Sequence, residues 1–231
     1  MKLNRSNKPL AGRRPKTDRP DGDTRAAILA AARSVFAQRG LNGTSMREVA
    51  KTAKVNNAMI YYHFKDKEDL YRSVLRDSFS AITDVWNDPV FSSNTTVRRK
   101  IERYVDGFIR FEQGNEDLRR IMAMEFAASA GNITCMCEQY FDDSYVRLVK
   151  LFKEGMRKGE LKKFDPSFAV ASLIGIISHN FILLPMAEHV QGKTVNLSPK
   201  KFGAFVTDLF FNGLGKEIKP AGAGNGKRMS G

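Results

Sequence analysis

The chain has 231 residues, room for one large or two modest domains, and carries 38 Lys/Arg against 25 Asp/Glu for a formal charge of +13. Residues 1–67 hold 15 of the basic and 5 of the acidic side chains, so +10 of the excess lies in less than a third of the length. One-sided basicity of this kind is the electrostatic footprint of a polyanion-binding segment, and it argues against a membrane partner because no basic amphipathic helix with a broad apolar face begins the chain. Three histidines, no Gly-rich phosphate loop, no GxSxG and no HExxH argue against an enzyme. The N-terminus lacks an apolar signal core and no window approaches 18 uninterrupted apolar residues, which predicts a cytoplasmic protein.

The first 23 residues are poor in apolar side chains, contain three prolines and are mainly basic, so they are expected to be a disordered arm. Arg13 and Arg14, with Lys16 and Arg19, suit an arm laid in a minor groove; a solubilising leader is the other reading. Thr24 opens the first predicted helix, with Ile28, Ala32, Val35 and Phe36 on one face and Gly40 as its stop.

Thr44 and Ser45, followed by Glu48, announce a second helix with Ser45 as its N-cap and a capping box. Met46, Val49, Ala50 and Ala53 form its buried stripe, while Arg47 and Lys51 point elsewhere. Lys54 and Val55 make the turn. A third helix, from Asn56 to His63, is started by the Asn56 side chain and turns Val55, Ile60 and Phe64 inward.

Two short helices joined by a tight turn, the second basic and tyrosine-rich, read as a helix-turn-helix that presents its second helix to the major groove. Asn57 has the chemistry for adenine, Arg47 for guanine and Met59 for a thymine methyl or a sugar. Tyr61 and Lys67 suit phosphates. Tyr62 and His63 share the outer face and its edges with them, and Ser45 and Asn56 stand at the two helix starts. The competing reading is that the aromatic residues simply pack.

Phe36, Gly40, Thr44, Ser45, Val49, Ala50, Val55, Ile60, Tyr61, Phe64, Lys67, Glu68 and Leu70 fill the pattern of the TetR (tetracycline repressor) family of bacterial regulators, which residues 24–70 resemble. Lys54 departs from it, since the family usually has glycine in the turn. The resemblance implies an all-α protein with an N-terminal helix-turn-helix domain over 24–70 and a larger effector-binding and dimerisation domain over 71–215. It implies a dimeric repressor that leaves a near-palindromic operator when a small, largely apolar or amphipathic effector binds. An activator on the same module, or a helical enzyme or adaptor, is the alternative.

Beyond Asp66, a helix cap, the chain reads as helix after helix. The fourth runs to about Asn87 and enters the second domain. Val97, Ile101, Tyr104, Val105, Phe108 and Phe111 follow a helical period, as do Leu118, Ile121, Met122 and Phe126. A segment from Ile133 to Lys158 follows. Asp165–Pro166 opens an apolar helix expected to reach Leu184, Ser198–Pro199 opens the last, ending near Asn212, and residues 216–231 are expected to be a disordered tail. Cys135 and Cys137 point apart on a helix and read as ordinary thiols, with neither a disulfide nor a metal site expected. No cofactor is expected beyond the unidentified effector.

The last two helices are apolar on most sides and want cover on most sides, which matches the homodimer that the resemblance implies; Ile177, Phe181, Phe202, Phe205 and Leu209 are the interface candidates. Tyr104, Phe108, Phe111, Met122, Phe126 and Tyr140 read either as core or as the lining of the implied effector pocket, with His179 and Asn180 as its polar anchors.

Overall fold

The computed structural model describes residues 20–128, 142–195 and 198–212. Every regular element among them is helical. The elements are α1 (Asp21–Arg39), α2 (Met46–Ala53), α3 (Asn57–His63), α4 (Lys67–Asp84), α5 (Val97–Gly114), α6 (Glu116–Ala128), α7 (Asp142–Arg157), α8 (Pro166–Gln191) and α9 (Pro199–Asn212), with single 3-10 turns at Val85–Asn87 and Pro89–Phe91. They form two compact units: residues up to Ala81 together with Asn115–Phe141, and Ile82–Gly114 together with the chain from Asp142 onward. A boundary at residue 70 falls inside α4, which is continuous across it, and α6 packs with α1. The basic arm as far as residue 19, the tail and both cysteines lie outside the described residues.

In the first unit α1 packs on α2 and α6, and α2 on α3. Helix α1 begins at Asp21, three residues before the expected start at Thr24. Pro20 has its φ fixed near the value that leads into a helix, Asp21 and Asp23 complement the positive helix end, and the Thr24 hydroxyl donates to the Pro20 carbonyl at 3.2 Å. Gly40, at φ 66°, closes α1 by donating its N–H to the Phe36 carbonyl at 2.8 Å, a left-handed position natural to glycine. Ile28, Ala32, Phe36, Val49, Ile60 and Leu70 are all buried in this core. Each large member contributes about 1.5–3 kcal/mol of hydrophobic stabilisation.

In the second unit α5 is the central helix, packed by α7, α8 and α9. Val97, Ile101, Val105 and Ile109 form its fully buried seam. An aromatic row runs along it: Trp86 packs on Phe91 and Tyr104 (4.6 and 5.2 Å), Tyr104 stacks on Phe108 and Phe108 on Phe111 (5.8 and 5.9 Å). Trp86 also donates its indole N–H to the Ser144 hydroxyl at 2.9 Å, which ties the row to α7. Gly107 is where the Val85 side chain presses closest, and a Cβ there would meet it at 2.7 Å.

Helix α8 runs to Gln191, past the expected end at Leu184. Pro185 keeps a helical φ and costs one backbone bond without ending the helix, which stops at left-handed Gly192 (φ 63°), where the Glu188 carboxylate accepts the Val195 N–H at 3.0 Å. Its start is as the sequence implies: Asp165 accepts the Ser167 N–H at 2.8 Å, with Pro166 in the first turn. Val170, Leu173 and Ile177 face the core, while Phe168, Ile182, Leu183, Met186 and Val190 stand exposed on the opposite stripe. The helix is long and apolar enough to cross a membrane by length and composition, with a mean hydropathy of 1.8.

Candidate nucleic-acid interface

Helices α2 and α3 are built by local chemistry. Ser45, in extended backbone, accepts the Glu48 N–H at 3.2 Å and keeps its hydroxyl hydrogen to donate. Only this half of the capping box forms: the Glu48 carboxylate turns to Arg39 of α1, 3.0 Å away. At the other end Lys54 donates its N–H to the Lys51 carbonyl (3.2 Å) and Val55 donates to that of Ala50 (3.0 Å), a Schellman closure. Lys54 sits at φ 55°, ψ 44°, the only non-glycine residue with positive φ among those described. The turn thus keeps the left-handed geometry that glycine serves without strain, and lysine carries its cost.

Asn56 caps α3 through Oδ1, which accepts the Ala58 N–H at 3.0 Å and leaves the Nδ2 hydrogens for a ligand. At about 100° per residue, Met59, Ile60, His63 and Phe64 fall on one side of α3, and Asn57, Ala58, Tyr61 and Tyr62 on the other. The burial follows this division. Tyr61 is 55% exposed, with Tyr62, Asn56 and Asn57 also outward, whereas Met59 is 2% exposed.

Two sequence-based assignments are corrected by that geometry. Met59 is a core residue and cannot reach a thymine methyl from its present position. His63 turns inward, with a largely buried side chain whose Nε2 lies 4.0 Å from the Asp21 carboxylate and makes no hydrogen bond among the described residues. Lys67 is half-buried, and its ammonium donates to the Thr44 carbonyl at 3.2 Å, which fastens the start of α4 to the start of α2. Arg13 and Arg14 lie outside the described residues.

Arg47 stays exposed on α2, and Lys51, Lys54 and Lys65 add exposed charge, of which Lys51 and Lys65 were not among the expected contacts. Their exposure beside a polar helix surface was the available signal. The assembled face therefore offers amide donors (Asn56, Asn57), phenols (Tyr61, Tyr62), a guanidinium (Arg47) and ammonium groups, with no carboxylate among them: chemistry for base edges flanked by phosphates.

Helix α6 supports this head from behind. The Tyr71 hydroxyl donates to buried Glu125 at 2.6 Å, and the Tyr71 ring meets Phe36 edge-on at 5.0 Å. Burial, then the bond to Glu125 and its negative charge, push the Tyr71 phenol far above its ordinary value.

The expected effector-pocket residues are divided between the two units. Tyr104, Phe108 and Phe111 are packed in the second unit, and burial, aided by the charge of Glu112, raises the Tyr104 phenol. Met122 is half-buried and Phe126 exposed on α6 of the first unit, and Tyr140 lies outside the described residues. His179 and Asn180 are exposed, the latter donating to its own helix at the Ile176 carbonyl (2.6 Å), so neither projects into the core as an anchor. A cleft of about 450 Å³ between α5 and α9 is instead lined by Arg98, Glu102, Asp106, Lys200, Thr207 and Asp208, a charged rather than apolar surface. Of the interface candidates, Ile177 and Phe202 are buried in their own unit. Phe181 and Leu209 are half-buried, Phe181 meeting Phe202 edge-on at 6.0 Å, and Phe205 is exposed.

Residues 28–74 match the family model described as bacterial regulatory proteins, tetR family. The HTH-type transcriptional regulator RutR of Escherichia coli K12 is 26% identical over 186 residues, spanning 78% of this chain and 84% of that protein. The HTH-type transcriptional repressor BepR of Brucella suis is 43% identical over 60 residues, 26% of this chain and 29% of its own. Among solved structures, the transcriptional regulator FadR from Bacillus subtilis, determined with stearoyl-CoA, superposes with a TM-score of 0.68 at 21% identity, covering 82% of this chain and 99% of that one. These relatives are regulators rather than enzymes, RutR alike over most of both chains and BepR over about a quarter of this one. Residues 28–74 thus carry the tetR-family helix-turn-helix, and the chain is similar over most of its length to HTH-type transcriptional regulators.

Proposed function

We propose that the protein acts in the cytoplasm as a homodimeric repressor that reads a near-palindromic operator and releases it when a small apolar or amphipathic effector binds the helical domain beyond residue 70. The observation that carries the DNA side is the outward set Asn56, Asn57, Tyr61 and Arg47 over a largely apolar floor. Two such sets related by a twofold axis would address half-sites one turn of duplex apart, about 34–36 Å. Repression follows the repressor BepR, and the effector class follows FadR, whose structure holds stearoyl-CoA.

Dimerisation is supported by α8, whose inner stripe is already committed to its own core while the outer one, with Phe205 of α9, is uncovered. A second copy suits that surface better than a bilayer, because α8 would have to abandon its packing on α5 and α7 to span one. Footprinting on the protein's own promoter region, with native mass spectrometry of freshly purified protein, tests the reading. Two protected half-sites about 10–10.5 bp apart centre to centre are expected, with a dimer mass carrying any retained small molecule. A monomer protecting a single half-site would overturn it.

A further inference from the structure

The second unit carries a group of exposed cations outside any close ion pair. Lys150, Lys153 and Arg157 recur at i, i+3 and i+7 on α7 and share one face, and Lys162 and Lys163 follow in the loop to α8. All five are exposed, and among the described residues none is ion-paired. The acids of the same stretch are spent internally. Glu154 meets Lys158 at 2.6 Å and Lys100 at 4.0 Å, and the Glu160 carboxylate accepts the Val97 N–H at 2.6 Å, capping α5. The α7 row of Lys150, Lys153 and Arg157 stays exposed, while the carboxylates of Glu160 and Asp165 also face solvent beside Lys162 and Lys163, in the half of the chain whose overall charge is nearly balanced.

The chemistry of the face selects its partner. A protein partner would want a buried aromatic anchor and a bilayer an inserted apolar stripe. The α7 row from Lys150 to Arg157 offers neither, and nearby Phe164 packs edge-on against Phe152 at 5.8 Å. A phosphate backbone needs only regularly spaced cations. At 1.5 Å per residue, Lys150 and Arg157 stand about 10 Å apart along the helix, the axial length of about three phosphates of one strand.

We propose that this α7 face is a second phosphate-contact surface, by which the regulator holds another stretch of duplex DNA besides the one read by α2 and α3. It adds affinity without sequence preference, and it rests on the DNA-binding reading only in that DNA is the polyanion at hand.

The test uses full-length protein captured on a biotinylated duplex and challenged with a second, fluorescent duplex at low salt. Wild type is expected to retain the second duplex. Lys150→Gln/Lys153→Gln/Arg157→Gln should lose it, Lys150→Arg/Lys153→Arg should keep it, and binding to a single dilute duplex should be unchanged in both. Removing three contacts should lower the slope of log K against log salt for the second duplex by about 2.7, at 0.9 per phosphate. Equal retention by the glutamine variant, or loss of its binding to the first duplex, would overturn the proposal. So would wild-type binding to phosphatidylglycerol vesicles that vanishes in that variant while duplex retention persists. Failure of wild type to bind even one duplex would count against the DNA-binding reading itself, a separate outcome.

Discussion

Lys54 offers the sharpest test of how the turn is built. A non-glycine residue in left-handed backbone costs about 1–2 kcal/mol, and glycine's extra freedom in the unfolded chain costs about 0.5–1 kcal/mol. Lys54→Gly should therefore stabilise the protein by about 0.5–1 kcal/mol, since the Schellman bonds from residues 54 and 55 are backbone bonds that survive the change. Lys54→Ala removes the same charge and keeps the strained φ, so it should gain nothing. Urea denaturation of both variants, followed by the midpoint at unchanged m, separates backbone from charge. If Lys54 also touches a phosphate, both variants should lower the salt slope of operator binding by the dimer by about 1.8, one contact per protomer at about 0.9 each. A glycine variant no more stable than the alanine variant would refute the strain argument.

Asn57→Ala should relax preference at one base pair per half-site at a cost of about 1–3 kcal/mol, read by competition between operator and random duplex; equal losses on both would remove Asn57 from base reading. Met59→Ala should destabilise the fold by about 2–5 kcal/mol in thermal unfolding, and a variant of full stability but altered operator preference would restore Met59 to the contact surface. Phe205→Glu/Met186→Glu should give monomers in light scattering, with Tm of the remaining fold little changed. Tyr71 and Tyr104 have phenols raised by burial, so their contribution is complete below about pH 10, the unfolded value, and is lost as pH rises further. Absorbance titration should show both ionising only as the protein unfolds, and Tyr71→Phe should remove one of these late steps.

The elements most legible in the sequence were those with a local cause. Ser45, Asn56, Asp165 and Ser198 all cap the helices assigned to them because an Asx or Ser side chain reaches an N–H two or three residues ahead whatever surrounds it. Met59 was misplaced because a seven-residue helix gives too little periodicity to tell its two faces apart, and the choice is made by α1 and α2. The expected end of α8 at Leu184 fell short because the helix runs through Pro185 to Gln191. The aromatic row was half visible: Tyr104, Phe108 and Phe111 keep a helical period, but Trp86 joins them across a long separation that no local pattern encodes. His63 and Lys67 looked like contacts because charge reads as exposure until a partner such as Asp21 or the Thr44 carbonyl is in view.

The placement of α6 bears on how the reading head comes into being during synthesis. Helices α1 to α3 are made first, yet the Phe36–Tyr71 contact is completed by Glu125, and α1 packs on a helix that begins only at Glu116. Between them α5 must be made and must find its place in the other unit. At about 5–20 residues per second the nascent head waits several seconds for its last wall. A chain cut after α4 would leave the Tyr71 side of the head uncovered. Competence to hold DNA thus arrives late, when most of the regulatory domain's central helix already exists, so a truncated product is poorly placed to occupy the operator in place of the finished regulator.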